Sequence, residues 1–218
     1  MNRIIVATLF GLLACAGLPA TADTIFDNGG PNLEVAYLSD FDNFQEMADD
    51  FLLQAGANVV TDVHWWGVYA GTDSPGTDTF TIRIFEDNGG GPQTGALYQF
   101  SGIGGNRTAT GDRDASEFNM YAYSADVTPT LLTPGTTYWI SILNDTTNDP
   151  DDNWYWADSA EIGGNDSFRR VDGAAWTAWS SEEAFYLTGT GAVVPEPASM
   201  TLLGLGLAGL VVRRYRKS

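Results

Sequence analysis

From Asp23 to about Gly191 apolar and polar residues alternate with a period of two, not with the 3.6-residue period of a helix. Phe80, Ile82 and Ile84 fall on one face of a strand, and Thr79, Thr81 and Arg83 on the other. Tyr138, Ile140 and Ile142 repeat the pattern, as do Tyr121, Tyr123, Ala125 and Val127. Val59 to Tyr69 is a longer run in which Val63, Trp65 and Gly67 share a face, so Trp65 and Trp66 point oppositely and at least one belongs to a core. Phe51 to Leu53, Ala96 to Phe100, Trp154 to Trp156, Ala184 to Leu187 and a weaker Leu33 to Leu38 complete nine or ten expected strands. Turn chemistry separates them. Asp87-Asn88-Gly89-Gly90-Gly91-Pro92 supplies the positive φ angles of a tight turn, and Asp73 to Gly76 and Thr133 to Thr136 are similar stops. Only Phe44 to Asp50 reads as a short helical turn. The expected fold is all-β, an antiparallel β-sandwich of jelly-roll type, with a barrel as the alternative.

The ends break this pattern. Met1 to Ala22 has a charged start at Arg3, an apolar run from Ile4 to Leu18 and the small-x-small site Ala20-Thr21-Ala22. It reads as a signal peptide whose helix is removed before Asp23. Leu12 to Cys15 competes as a lipoprotein box, in which Cys15 would carry lipid, but leucine before the small residue is atypical there. The C-terminal stretch, residues 192–218, contains Pro195-Glu196-Pro197, an apolar segment from Met200 to Val212 and the basic cluster Arg213, Arg214, Arg216 and Lys217. The prolines keep the chain extended, while glycines among leucines are tolerated in a transmembrane helix, and the basic end marks the cytoplasmic side. Ala198 to Val212 would form a helix of about 22 Å, short of the roughly 20 residues a full span prefers. That shortness favours a transient processing signal over a permanent anchor.

This three-part tail resembles the PEP-CTERM sorting signal of Gram-negative bacteria. The resemblance implies an inner-membrane-anchored precursor, recognised and cut near Pro195-Glu196-Pro197 by an exosortase, then passed to the cell surface or the exopolysaccharide matrix of a biofilm. The body, residues 23–191, also resembles a β-sandwich module of exported bacterial proteins. The residues that carry this are Ala48 to Phe51, Val63 to Gly67, Phe80 to Phe85 with Asp87 to Pro92, and Thr133 to Ile140. That module implies no chemistry.

Charge narrows the function. The body holds 27 of the 28 acidic residues and five of the ten basic ones, a net charge of −22. Phosphates would be repelled, which excludes nucleic acid as a partner. Cys15 is the only cysteine, so no intrachain disulfide forms.

Candidate chemistry is sparse. His64 is the only histidine, sits in a strand and has no Gly-x-Ser-x-Gly elbow to serve. A zinc site lacks ligands for the same reason. Paired carboxylates would suit a glycan hydrolase, with Glu86, Glu117, Glu161, Glu182 and Glu183 the glutamates nearest strands or aromatics, yet so acidic a chain yields pairs by chance. Asn144 to Asn153 is the densest run of oxygen ligands, and Asp145, Asp149, Asp151 and Asp152 form a candidate calcium (Ca2+) site, although the EF-hand spacing is missing and a solvated loop has the same composition. Seven tryptophans and nine tyrosines raise a carbohydrate-binding reading. Trp154 and Trp156 share a strand face and would stack on sugar rings, with Asp152 as acceptor. Equally, such aromatics fill sandwich cores. Thr77, Thr79 and Thr81 alternate without the ranks an ice-binding face needs. The expectation is a non-enzymatic exported protein, structural or adhesive, followed by a carbohydrate-binding module and then by a glycan hydrolase.

Overall fold

The computed structural model describes residues 22–71, 76–149, 151–161 and 167–191. The signal peptide except Ala22, the turn residues 73–75 and the whole tail, including Pro195, Glu196, Pro197 and the basic cluster, lie outside the described residues. Thirteen strands are described: β1 (Asp23–Asp27), β2 (Pro31–Leu38), β3 (Gln45–Leu52), β4 (Ala57–Ala70), β5 (Phe80–Glu86), β6 (Tyr98–Ile103), β7 (Thr108–Arg113), β8 (Asn119–Leu131), β9 (Thr137–Asn144), β10 (Asn153–Ser159), β11 (Phe168–Val171), β12 (Thr177–Ala178) and β13 (Phe185–Gly191).

Two sheets form, and every pairing between these strands is antiparallel. β4 is the spine of the first. Its 14 residues are long enough to take β8 along one edge and two strands in succession along the other, β13 beside its first half and β10 beside its second. β7 then flanks β8, β1 flanks β13 and β2 flanks β10. The second sheet runs β12-β11-β3-β9-β5-β6. The alternation explains how they pack. Val63, Trp65 and Tyr69 of β4 face Phe80, Ile82 and Ile84 of β5 and Tyr138, Ile140 and Ile142 of β9 in one buried cluster. The Trp65 ring meets Phe80 edge-on at 5.0 Å and lies flat on Tyr123 at 5.4 Å. The sandwich is therefore as expected. The strand orders do not by themselves assign a jelly-roll connectivity. Gly67 is required on the inner face: a Cβ there would lie 2.6 Å from the Trp154 ring.

The expected helical turn over Phe44 to Asp50 is instead strand β3 behind a turn at Phe41–Phe44. Met47, Asp49 and Phe51 share its inner face, so the true period is two, and the acids among them hid it.

The outer face of the second sheet carries a polar ladder. Glu46 is fully buried and bridges three neighbouring strands. Its Oε2 accepts from Arg170 Nε at 2.6 Å, while its Oε1 accepts from Ser141 Oγ at 2.8 Å and pairs with Arg83 Nη1 at 2.9 Å. Arg83 also reaches Asp172 at 2.6 Å. Burial opposes the Arg83 charge, but Glu46 and Asp172 more than offset this and raise its pKa. Trp176 covers the ladder, with the Arg170 guanidinium 4.2 Å from its ring centre.

Candidate functional site

β10 pairs with both β4 and β2, which fixes the direction of its side chains. Trp154 and Trp156 point inward and are 0% exposed, while Tyr155 points outward. Trp154 meets Phe80 edge-on at 5.2 Å, and Trp156 donates from Nε1 to the Ala184 carbonyl at 3.0 Å. Neither ring offers a face to a sugar. This corrects the stacking role expected for the pair. Period-two reading places both on one face, but cannot say whether that face is the core.

The β9–β10 loop does build a site. Asp145, Asp149 and Asp152 line one cavity of about 280 Å³ at the end of the sandwich, together with Asn144, Thr146 and Tyr69. Asp151, the fourth residue of the expected calcium set, is exposed and not among the lining residues. Among the described residues, no group of three or more His, Cys, Asp or Glu side chains is arranged to hold a metal ion. Asp145 spends one carboxylate oxygen on its own loop, accepting from Thr147 N at 3.1 Å and Thr147 Oγ1 at 2.6 Å. Asp149 accepts weakly from Gly76 N at 3.4 Å. Asp152 is 4% exposed and packs against Gly71.

The floor and wall of this cavity are rigid. Asn144 donates from Nδ2 to Tyr69 Oη at 2.7 Å, and its Oδ1 accepts from the backbone of Thr79 at 3.1 Å and Asp145 at 3.0 Å. Tyr69 Oη in turn donates to Asp78, which Arg107 also contacts at 3.2 Å. Burial raises the Asp78 pKa, although Tyr69 and Arg107 oppose it. Burial likewise raises Tyr69 above the usual phenol range, so it stays neutral. Asp40 ties the wall to the β2–β3 turn. It is fully buried and accepts from Thr146 Oγ1 at 2.8 Å, Trp154 N at 2.7 Å and Asp42 N at 3.0 Å. On the same turn Phe41 and Phe44 are exposed, 40% and 60%, with ring centres 6.2 Å apart. Phe41 N donates to the Asn144 carbonyl at 2.8 Å, and Asn43 donates to Asn153 at 2.6 Å. Sequence reading missed these residues. An exposed Phe pair in a polar turn was the available signal for Phe41 and Phe44, whereas the partners of Asp40 and Asp78 are set only by the fold.

The other candidates fall elsewhere. His64 stacks flat on Tyr186 at 4.1 Å on the outer face of the first sheet. Burial lowers its pKa. Asp62 lies 3.8 Å from it and directly across from Asp126 on β8. Burial and then the Asp126 charge raise the Asp62 pKa. Glu86, Glu117 and Glu161 are exposed on strand ends and loops. Glu182 and Glu183 are buried in a cluster of acids. Asp49 Oδ2 accepts from Glu183 N at 2.6 Å and from Asn28 Nδ2 at 2.9 Å, and Asn28 also reaches Glu182 at 3.2 Å. Glu183 Oε1 accepts from Ser181 at 2.9 Å, but its Oε2 is buried with no hydrogen-bond partner. Burial, then neighbouring negative charge, raises both acids well above the usual carboxylate range: Glu182 acts most on Asp49, and Asp49 most on Glu183.

Two stretches of the chain match known families. Residues 193–217 match the PEP-CTERM protein-sorting motif. The chain thus carries the tail of an exosortase substrate, an exported protein anchored as a precursor and sorted to the cell surface. Residues 22–103 match a domain of unknown function, DUF7901. That match runs from β1 to the end of β6, so both sheets are completed by strands beyond it. No curated protein and no solved structure matches the chain.

Proposed function

We propose that this exosortase-sorted protein is a non-enzymatic structural or adhesive component of the cell surface and its exopolysaccharide matrix. The observation that carries the reading is how the body uses its carboxylates. Asp40, Glu46 and Asp87 each hold backbone or side-chain donors from separate segments in place. A glycan hydrolase needs two carboxyl groups flanking a cleft that admits the sugar. Asp49 and Glu183 are sealed at 0% exposure, Asp62 and Asp126 sit on a sheet face rather than in a cleft, and of the three acids lining the β9–β10 cavity Asp145 and Asp149 accept from their own and the facing loop while Asp152 is buried. The body charge of −22 also favours a well-hydrated protein that resists collapse in a crowded matrix.

Two measurements on the producing cells and the purified full chain test this. The protein is expected to co-fractionate with extracellular polysaccharide, and deletion of residues 195–218 to remove it from that fraction. No reducing sugar is expected on incubation with that polysaccharide. Sugar release abolished by a single Glu→Gln or Asp→Asn change would overturn the non-enzymatic reading, and retention without the tail would overturn the sorting role.

A further inference from the structure

We infer that the cavity at the β9–β10 end, with the Phe41–Phe44 turn beside it, is a binding site for one uncharged sugar unit of a polysaccharide. The lining decides the ligand class. Asp145, Asp149 and Asp152 bring carboxylates to the lining, while the Asn144 amide and the Thr146 and Tyr69 hydroxyls beside them are already bonded to Tyr69, Asp40 and Asp78. These groups are rich in acceptors. Arg107, near the floor, is held against Asp78 and the Tyr69 and Tyr121 rings. A ligand with many hydroxyl donors and no negative charge satisfies this surface. A uronate or a phosphate would be repelled by it.

The volume, about 280 Å³, fits a small ligand rather than a chain, near the lower end of small-molecule sites. The rest of a polymer would then leave over the rim. The exposed Phe41 and Phe44 rings, on a turn that bonds this loop without lining the cavity, offer apolar faces on which a further sugar ring can lie. Two hydrogen bonds hold this turn to the loop that lines the cavity, Phe41 N to the Asn144 carbonyl and Asn43 to Asn153. Platform and cavity are therefore parts of one rigid end of the sandwich. Asn144 is already fixed by five backbone and side-chain hydrogen bonds, so little ordering is lost on binding.

The inference deepens the adhesive reading, but it is tested by binding in solution, which does not depend on where the cell sends the protein. The full chain is titrated by calorimetry with cellohexaose, xylohexaose and mannohexaose, with oligogalacturonate as the charged control and calcium chloride alone as the metal control. At least one neutral oligosaccharide is expected to bind, and the charged one to bind at least tenfold more weakly. Phe44→Ala and Asp149→Asn are each expected to weaken binding at least tenfold with unchanged melting temperature. Phe44 is exposed, and asparagine keeps the acceptor at position 149, so neither change should unfold the chain. Absence of neutral-sugar binding, equal binding of oligogalacturonate, binding untouched by both variants, or saturation by calcium alone would each overturn the assignment.

Discussion

Glu46→Ala is expected to destabilise the sandwich by about 3–5 kcal/mol, the usual cost of breaking a buried ion pair from one side. The truncation leaves the Arg170 and Arg83 guanidinium groups without their shared carboxylate, with Arg170 still under Trp176. Arg83 retains Asp172, but Arg170 loses its Nε acceptor and keeps only backbone carbonyls. Urea unfolding of the wild type and the variant measures the difference. Glu46→Gln should fall between them, because it keeps an acceptor but not the charge. A change below about 1 kcal/mol would place the ladder among ordinary surface pairs.

The second large effect is on pH. Thermal stability is expected to increase as pH is lowered from about 8 toward 5, the opposite of proteins whose carboxylates are mostly salt-bridged. Asp49 and Glu183 have folded-state pKa values well above their unfolded ones. The folded chain therefore holds protons that the unfolded chain releases. Their stabilising contribution is complete below the ordinary carboxylate range, near about 4, and is lost as pH rises through the raised folded values. Asp87 and Asp172 oppose this at the acid end. Burial alone would raise them, but for Asp87 the donors Trp139, Gly90, Gly89 and Gly91 win, and for Asp172 Arg83 wins, so both lie below the usual range. Their contribution is present above that range and lost only as pH falls through their lowered values, so the stability maximum lies at mildly acidic pH.

Relief of overall negative charge acts in the same direction, and Glu183→Gln separates the two. An uncharged amide at this fully buried position is expected to raise the melting temperature at pH about 8 and to flatten the rise on acidification. A variant less stable than wild type at pH about 8, with the same pH profile, would contradict the assignment.

Much of the core was legible because period-two alternation needs only local sequence. Phe80, Ile82 and Ile84, or Val63 and Trp65, face inward as their spacing requires. Strands without that contrast were missed. β7 is exposed along all six residues and so carries no buried stripe. The short β11 owes its existence to pairing with β3, and β12 to pairing with β11. Acids misled for a related reason. Glu46, Asp49 and Glu183 count as polar in any pattern, yet they are buried by partners far away: Arg170 is 124 residues from Glu46, and Glu183 bonds Asn28 across 155. Part of the loop run Asn144 to Asn153 lines a cavity. Local sequence does not show that the Phe41–Phe44 turn bonds this loop, or that Trp154 and Trp156 turn inward.

Intact mass of the protein recovered from the cell surface bears most directly on the division between sorting tail and folded cargo. Expected is a chain that starts near Asp23 and lacks the apolar segment and the Arg213 to Ser218 end. A mature form that still ends in Lys217-Ser218 would contradict it.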